Sequence, residues 1–270
     1  MDQERRKLSI EEIIAAMEAQ AGNTPTFSMK PHKCEACADT GWVRFEKDGY
    51  TFVRECECVK ARAAEALLRK SGLSAVLEQQ TFDTFETRYD YQDDIKRTAK
   101  RYVSEMFSIP KDAPRKPWLY IGGNPGCGKT HICTAVCGEL LKANIEVVYM
   151  QWLDEARRLK AYINEPDFET LVEKYIDCAV LYIDDLFKQT FRGSPILTDA
   201  DVKMAFTIFN ARYLQNKPTI ISSEWSLESL LDADEGVFSR VYERCKGFTI
   251  SIPRDVKYNY RLARLKGKLA

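Results

Sequence analysis

The sequence predicts an α/β fold, with a mostly parallel β-sheet covered by helices on both faces and a small cysteine-rich module ahead of it. Two observations predict the sheet. Short apolar segments alternate with longer helical patterns from residue 118 onward, and a glycine-rich loop joins the first strand to the next helix. Such alternation favours right-handed crossovers and parallel pairing. Four cysteines within residues 34–58 indicate the module. We therefore expect two domains, residues 1–75 and 76–270.

The composition is that of an ordinary globular protein. Of the 270 residues, 45% are hydrophobic and 30% charged, and 40 basic side chains balance 40 acidic ones. The chain has no apolar run as long as a signal peptide or a membrane-spanning helix, which predicts a cytoplasmic protein with no membrane partner. Nine cysteines in a reducing compartment are not expected to form disulfides. The basic tail, residues 254–270, fits either a solvated terminus or a contact with nucleic acid or nucleotide.

The N-terminal residues predict a short amphipathic helix. Ser9 and Glu12 have the spacing of a capping box, in which the two side chains satisfy free backbone amides reciprocally. Apolar residues then recur every three or four positions, at Ile10, Ile13, Ile14 and Met17. This stripe either folds back on the chain or contacts a partner, and the sequence leaves both alternatives open.

Residues 33–60 predict a hairpin that holds a metal. Two short strands, "WVRF" and "YTFVREC", flank a turn that contains glycine, and a cysteine pair lies at each end of the hairpin. Four thiolates are enough for a closed tetrahedral Zn²⁺ site, and the candidate ligands are Cys34, Cys37, Cys56 and Cys58. His32 is an alternative ligand. An iron–sulfur cluster, or four reduced cysteines without a metal, would fit the same residues. A helix that ends at Gly72 follows.

The remaining elements alternate as a parallel sheet requires. A helix over residues 92–107 comes first, and the predicted strands are 118–123, 146–151, 179–185, 219–223 and 248–252. The predicted helices between them are 129–142, 153–162, 168–175 and 198–214. Cys133 and Cys137 lie four positions apart on the first of these helices, and we expect both to pack in the core.

The loop after the first of these strands fits the phosphate-binding pattern G-x-x-x-x-G-K-[ST] without a gap. Its glycines let consecutive backbone amides turn towards a phosphate, and the following helix adds the positive end of its dipole. We expect Lys129 to reach the β- and γ-phosphates and the Thr130 hydroxyl to bind Mg²⁺. The candidate nucleotide-binding residues of this segment are Gly123, Asn124, Pro125, Gly126, Cys127, Gly128, Lys129, Thr130 and His131.

An acidic pair ends the strand 179–185, whose sequence is "AVLYIDD". We expect Asp184 to hold the Mg²⁺ and Asp185 to orient and polarise the attacking water, the step that separates hydrolysis from binding. An exposed pair of carboxylates at a strand end is the structural alternative. With the loop, the pair predicts a nucleotide hydrolase, although Lys129 and Asp184 alone would also fit a small-molecule kinase or a GTPase.

Further segments narrow the class. "TFDTFET" (81–87), the phosphate loop, "LYIDDLF", "FNARYLQNKPTIISSEWSLESLL", "FSRVYERC" and "NYRL" occur in this order. Together they resemble the AAA+ helicase-loader family of the DnaC and DnaI type over residues 75–265, and the cysteine-rich segment resembles the zinc-binding N-terminal module of the DnaI-like branch. The resemblance implies a AAA+ P-loop fold and an ATPase that uses ATP and Mg²⁺, preceded by a module that binds Zn²⁺.

The resemblance also implies roles for residues around the nucleotide. Phe82 and Phe85 match an element that packs near adenine in this family, with two core aromatics as an equal alternative. After strand 219–223 the family offers an asparagine to the γ-phosphate or the attacking water. This sequence has Glu224 there, and a phosphate repels a carboxylate unless a cation lies between them. Ser223 is the alternative residue for this role.

Three arginines match positions that complete such a site. "SRVYERC" places Arg240 and Arg244 four residues apart on one helix face. In the family an arginine here reaches the nucleotide of a neighbouring subunit. Arg244 matches best and Arg240 next, while a surface ion pair with Glu243 or Glu235 is the alternative. Arg261 matches a residue that closes over the nucleotide of its own subunit. Arg212 fits a family motif to which the sequence assigns no chemistry.

These features lead to two hypotheses about function. In the first, the chain is an ATP-dependent DNA replication protein that loads the replicative hexameric helicase onto single-stranded DNA. Residues 1–75 bind the helicase, the ATPase face contacts single-stranded DNA, and the protomers associate through their ATP sites. In the second, the chain is an IstB-like AAA+ ATPase partner of a transposase. That family generally lacks a cysteine-rich module, so the four cysteines favour the loader. The matches at Arg244 and Arg261 argue against a small-molecule kinase.

Overall fold

The computed structural model describes residues 34–47, 50–110, 117–188 and 197–262. The chain forms two compact units that divide between Val59 and Lys60. The predicted N-terminal helix, His32 and the basic tail from residue 263 lie outside the described residues. None of the described helices combines the length and the apolar character that crossing a membrane requires.

The first unit contains the predicted hairpin. Strands β1 (Trp42–Lys47) and β2 (Tyr50–Glu55) pair antiparallel. Phe45 lies opposite Phe52, and the two rings stack with their centroids 5.6 Å apart. Every residue of β2 is exposed. The buried residues of this unit, within its described part, are Cys37, Gly41 and Cys56. The hairpin therefore has no apolar core of its own among the described residues.

Along the chain, three described helices follow the hairpin and precede the first strand of the sheet: α1 (Glu57–Ser71), α2 (Ser74–Leu77) and α3 (Asp90–Ser108). The start of α3 is fixed by Gln92, whose side-chain oxygen accepts from the backbone N–H groups of Arg88 and Tyr89. That contact satisfies backbone donors at the helix N-terminus and sets the direction of the segment that leads into the helix.

The sheet of the second unit has five parallel strands. They are β3 (Leu119–Gly123), β4 (Val147–Gln151), β5 (Val180–Leu186), β6 (Thr219–Ser223) and β7 (Thr249–Ile252). Their order is β4-β5-β6-β3-β7. The prediction of a parallel sheet is confirmed, and each strand end lies within one residue of its predicted position. Strand β3 is interior to the sheet, so the loop that follows it opens at the middle of the carboxyl edge.

Helices cover both faces of this sheet. Those after β3 are α4 (Lys129–Lys142), α5 (Trp152–Lys160), α6 (Phe168–Asp177), α7 (Asp199–Leu214) and α8 (Glu235–Arg244), with 3-10 turns at Glu228–Leu230 and Val256–Tyr258. Successive residues of β5 alternate between two buried apolar clusters, with Leu181 in one and Tyr182 in the other. Cys133 and Cys137 are fully buried, which confirms their predicted place in the core.

Arg212, for which the sequence offered no chemistry, joins two elements inside the domain. It lies on α7 with no exposed surface. Its guanidinium donates to the carbonyl oxygens of Tyr175, Ile176 and Cys178 at 2.9–3.0 Å, and to the Thr219 hydroxyl at 2.9 Å. The three carbonyls belong to the end of α6 and the residues after it, where backbone acceptors lack partners within the helix. Arg212 therefore ties the end of α6 to the start of β6.

Candidate functional site

The phosphate loop has a backbone that only glycine can supply at two of its positions. Gly123 has φ +109° and Gly128 has φ +98°. A Cβ at Gly123 would lie 1.9 Å from the carbonyl oxygen of Ile252, and one at Gly128 would lie 2.7 Å from the ring of Phe85. Both the dihedral angles and the close neighbours exclude larger residues. The loop is therefore held between β7 and the segment that carries Phe85.

The Lys129 ammonium lies inside this loop. The side chain is 6% exposed, and its Nζ donates to the carbonyl oxygens of Gly123 and Asn124, each at 2.9 Å. Loop carbonyls thus hold the ammonium at the first residue of α4, where P-loop proteins place the β- and γ-phosphates.

Asp184 is the polar centre of the site. It is 5% exposed, and its carboxylate accepts from four side-chain hydroxyls. Thr130 donates at 3.0 Å, Tyr182 at 2.8 Å and Tyr149 at 3.1 Å, and Ser222 is the fourth donor. Burial, together with the nearby Asp184 carboxylate, raises the pKa of both tyrosines, so both remain protonated donors. The contact between Thr130 and Asp184 brings together the two residues predicted to bind Mg²⁺.

Asp185 lies at an irregularity near the end of β5, one residue before the strand ends at Leu186. The pairing of β5 with β6 shifts between Ile183 and Leu186, and Asp185 has φ +57°. This turn points Asp185 towards Lys188, whose Nζ lies 2.5 Å from Asp185 Oδ2 and 3.7 Å from Glu224 Oε1. Burial acts to lower the pKa of Lys188, but the hydrogen bond to Asp185 and the surrounding carboxylates raise it above its ordinary value. Lys188 is not among the residues predicted from the sequence, and the signal that could have identified it is its position three residues after Asp185.

Of the two serines that end β6, Ser222 is the one that contacts the acidic pair. Its hydroxyl donates to Asp184 and accepts from the backbone N–H of Asp185 at 3.0 Å. Ser223 is fully buried, donates to the Leu186 carbonyl at 2.8 Å and accepts from the Trp225 backbone at 3.1 Å. The role predicted for Ser223 stays a prediction, while its hydroxyl lies among backbone partners.

A cavity of about 610 Å³ opens beside these groups. That volume lies in the range of small-molecule sites. The predicted site residues among its lining are Pro125, Gly126, Cys127, Gly128, Lys129, Thr130, His131, Asp184, Asp185 and Arg261. Glu224 and Lys188 line it as well, whereas Gly123, Asn124, Ser223, Arg240 and Arg244 lie outside its described lining.

Phe85 and His131 form one wall of the cavity. Their rings meet edge to face with centroids 5.2 Å apart. His131 Nε2 lies 2.9 Å from the Thr81 carbonyl oxygen, which can only accept, so Nε2 carries the proton. His131 therefore connects the first turn of α4 to the segment that bears Phe85. Phe82 is 8% exposed and packs in the core beside α3, so of the two phenylalanines only Phe85 lines the cavity.

The C-terminal segment closes another side of the cavity. The backbone N–H of Tyr260 donates to the Gly126 carbonyl at 3.0 Å, and its hydroxyl donates to Glu86 at 2.6 Å. These contacts hold the following residue, Arg261, at the cavity, as its predicted role requires.

Arg240 and Arg244 contact α7. Arg240 donates to the Asn210 side chain at 2.8 and 3.0 Å, and its guanidinium lies 4.7 Å from the centre of the Phe206 ring. Arg244 donates to the Tyr213 carbonyl at 2.9 Å and lies 4.3 Å from the centre of that ring. The Nε of Arg244 is buried, with no acceptor among the described residues. In these contacts both arginines meet uncharged groups, and their predicted role towards a second subunit stays a prediction.

The four cysteines of the first unit converge on one point. Their sulfur atoms all lie within 4.8 Å of one another, with Cys34 and Cys56 3.7 Å apart and Cys37 and Cys58 3.4 Å apart. Four thiolates bound to one Zn²⁺ at its usual bond length would have sulfurs roughly 3.8 Å apart. The cluster therefore has the residue types, number and spacing that a tetrahedral metal site requires.

The pKa of Cys37 is suited to metal binding. Burial acts to raise it, but hydrogen bonds from the Gly41 backbone and from the neighbouring thiols of Cys58, Cys34 and Cys56 bring it down to about 7. The pKa of Cys56 in the same cluster is raised: the Cys58 backbone acts to lower it, but burial and the thiols of Cys37 and Cys34 act to raise it. Cys37 therefore loses its proton more readily than Cys56, and the thiolate is the form that binds a metal.

Comparisons with known proteins agree with this geometry. Residues 37–236 match the family described as IstB-like ATP binding protein. The phage-like element PBSX protein XkdC of Bacillus subtilis (strain 168) is 32% identical over 270 residues, covering 95% of this chain and 98% of that protein.

Two solved structures share the fold. The crystal structure of the DnaC helicase loader has 24% identity and a TM-score of 0.52, covering 66% of this chain and 98% of its own. The crystal structure of DnaI has 20% identity and a TM-score of 0.50, covering 68% and 92%. At these identities the likeness concerns the fold alone, and it confirms the predicted AAA+ P-loop fold. With the family match over most of its length, the chain belongs to the IstB-like ATP-binding proteins and is a AAA+ P-loop ATPase.

Proposed function

We propose that this ATPase loads a replicative hexameric helicase onto single-stranded DNA, with ATP binding and hydrolysis controlling assembly and release. The observation that carries the proposal is the four-thiol cluster, which precedes the phosphate loop and the acidic pair in the chain. The cluster supports the proposal because the chain resembles DnaI-like loaders in having a cysteine-rich module, which the transposition ATPases generally lack. We also expect the protein to act in the cytoplasm, as the sequence predicts.

The nucleotide site supports hydrolysis as well as binding. In the proposal the loop amides and Lys129 hold the phosphates, and Thr130 with Asp184 holds Mg²⁺, which neutralises charge on the β- and γ-phosphates. Asp185 orients the attacking water from the end of β5. Phe85 and Arg261 lie on the walls of the cavity, where they would contact the base and the phosphates of the same nucleotide.

A neighbouring subunit completes the site in this proposal. Arg244 is the residue that would reach the nucleotide of the next protomer, with Arg240 beside it. Arg244 would have to give up its hydrogen bond to the Tyr213 carbonyl and its contact with the Tyr213 ring, while its buried Nε has no acceptor among the described residues. Arg244→Ala should leave nucleotide binding unchanged and lower helicase- or DNA-stimulated hydrolysis by about 10³-fold or more. Unchanged turnover would remove Arg244 from this role.

The cysteine module supplies the proposed contact with the helicase. Cys34, Cys37, Cys56 and Cys58 would hold one Zn²⁺ in a closed site, a structural role with no open position for catalysis. The hairpin beyond the metal exposes Trp42, Tyr50, Phe52 and Val53, which large protein partners bury readily.

The match to IstB-like proteins favours a second candidate function. An ATPase of the same fold would then act on DNA as the partner of a transposase, and its nucleotide site would work in the same way. The two candidates differ in the partner that each requires, so a binding experiment separates them.

The test uses the purified full chain, the host's hexameric replicative helicase and closed circular single-stranded DNA. We expect ATP and Mg²⁺ to raise the amount of helicase retained on the circle, because a closed hexamer cannot thread onto DNA that has no end. Lys129→Ala is the matched control: this variant should not bind nucleotide and should not load the helicase. No binding to the helicase, together with binding to a transposase, would favour the second candidate.

A further inference from the structure

We propose that Lys188 and Glu224 form a charge pair that lets this site distinguish ATP from ADP, with the Lys188 ammonium donating to the γ-phosphate. The starting observation is a carboxylate, Glu224, in the lining of a cavity built for phosphates. The same cavity end contains Asp185, so two carboxylates and one cation meet there. The proposal rests on the nucleotide site described above and is independent of the partner protein.

The position of the pair matches the end of a triphosphate. Lys129 and Thr130 line the cavity at the start of α4, and Asp184 lines it at the end of β5. A nucleotide whose β-phosphate lies in the loop and whose Mg²⁺ contacts Asp184 directs its γ-phosphate towards the residues after β5 and β6. Asp185 lies near the end of β5, Lys188 lies two residues after that strand, and Glu224 directly follows β6.

Electrostatics require a cation at this place. A carboxylate and a phosphate a few ångströms apart repel strongly, because the effective dielectric of a partly buried site is lower than that of water. The side chains of Glu224 and Asp185 are 27% and 22% exposed, so water screens them only in part. Lys188 lies within 4 Å of both carboxylates. Arg254 donates to the backbone oxygen of Glu224 at 3.4 Å, and among the described residues the ion-pair partner of the Glu224 carboxylate is Lys188.

The fold holds Lys188 in place before any nucleotide binds. Its backbone N–H donates to the Asp185 carbonyl at 3.0 Å, closing a turn whose residues Asp185 and Phe187 both have φ +57°. Phe187 is 1% exposed and packs against Trp152 and Trp225, with ring centroids 5.3 and 6.2 Å away. A turn anchored by a buried aromatic presents the ammonium at a fixed position, which reduces the entropy lost when a phosphate binds.

The consequence is a preference for the triphosphate. With ADP, Lys188 keeps its contacts with Asp185 and Glu224 and adds none. With ATP, the ammonium lies between two carboxylates and the γ-phosphate and offsets the repulsion among them. Lys188 thereby contacts the γ-phosphate from beside Glu224, the position at which the helicase-loader family has an asparagine. A carboxylate is tolerated there because the Lys188 ammonium lies beside it.

The experiment measures the affinity of the full chain for Mg²⁺–ADP and for Mg²⁺ with a non-hydrolysable ATP analogue. Lys188→Met should weaken binding of the ATP analogue by at least about tenfold and that of ADP by less than about twofold. Adding Glu224→Gln to Lys188→Met should restore most of the lost affinity, because the uncompensated carboxylate is gone. Lys188→Arg, which keeps the charge, should stay near the wild type.

Arg254→Gln is the matched control, since it removes a cation near Glu224 that does not contact the carboxylate, and it should change neither affinity. Retained ADP binding shows that each variant is folded. Equal losses for the two nucleotides, no loss for the ATP analogue, or no recovery in the double variant would each overturn the proposal. Failure of helicase loading with these affinities as expected would overturn the proposed function alone.

Discussion

The cysteine module and the ATPase domain are stabilised in opposite ways. The ATPase domain buries two apolar clusters, one on each face of its sheet. The described part of the module buries two cysteines and a glycine, and every residue of β2 is exposed. A unit this small gains too little from apolar burial to fold unaided. Apolar burial therefore stabilises the ATPase domain, and we expect the four converging thiols to stabilise the cysteine module by binding a metal.

Polar groups show the same contrast. In the ATPase domain the buried charges of Asp184 and Arg212 each have several hydrogen-bond partners, and those partners are fixed by surrounding packed side chains. In the module the polar centre is the thiol cluster itself. Perturbing one region should thus leave the other intact, and the following predictions are ordered from the largest expected effect to the smallest.

The largest effect is expected from removing the metal ligands. Cys37→Ser should lower the zinc content from about one ion per chain to none and abolish protection of the β1–β2 amides against hydrogen exchange. Binding of structural zinc is worth about 10 kcal/mol or more, which exceeds what this hairpin can gain from burial. Protection of the β3–β7 amides should not change.

Cys178→Ser provides the control for the Cys37 experiment, because Cys178 is buried in the ATPase domain. It should leave the zinc content unchanged. Protected β1–β2 amides in a chain without metal would contradict the idea that the thiols determine the fold of the module.

The second-largest effect is expected on the stability of the ATPase domain. Arg212→Met should lower the free energy of unfolding of this domain by about 3 kcal/mol or more, since several buried carbonyls lose their donor at once. Denaturant unfolding measures the change. Arg158→Met is the matched control: Arg158 pairs with Glu155 at the surface, and its loss should cost less than about 1 kcal/mol. Equal effects of the two changes would refute the role given to Arg212.

The smallest effect concerns pH. Burial lowers the pKa of His131, Lys96 lowers it further, and the bond to Thr81 opposes them. The folded state therefore binds the proton less readily than the unfolded state. The stability from this group is complete above the unfolded pKa and is lost as the pH falls through the folded pKa.

His131→Gln should flatten this part of the pH dependence of unfolding. Hydrogen exchange at α4 between pH 7.5 and 5.5, roughly the range in which histidine titrates, reports the difference from the wild type. An identical slope in both proteins would show that His131 does not titrate on unfolding.

The sequence was sufficient for the features that are local in the chain. The strands, the phosphate loop and the acidic pair follow from apolar alternation and from one contiguous motif, and the structure has them within one residue. The cysteine spacing likewise indicated the cluster, since a hairpin brings its two ends together.

Features that depend on contacts between residues far apart in the sequence could not be predicted from it. Tyr149, Tyr182 and Ser222 converge on Asp184 from three strands, and their contacts depend on register that the sequence does not encode locally. The shift in pairing between β5 and β6 turns Asp185 towards Lys188, and a regular strand would have placed it elsewhere.

The central proposal is that the cysteine module binds the helicase and the ATPase domain binds the nucleotide. Binding of the full chain to the hexameric replicative helicase tests it most directly. Cys37→Ser should abolish helicase binding and keep Mg²⁺–ADP binding at the wild-type level. Lys129→Ala should keep helicase binding and lose the nucleotide. Wild-type helicase binding by Cys37→Ser, at a zinc content of zero, would contradict the proposal that the metal-held module contacts the helicase.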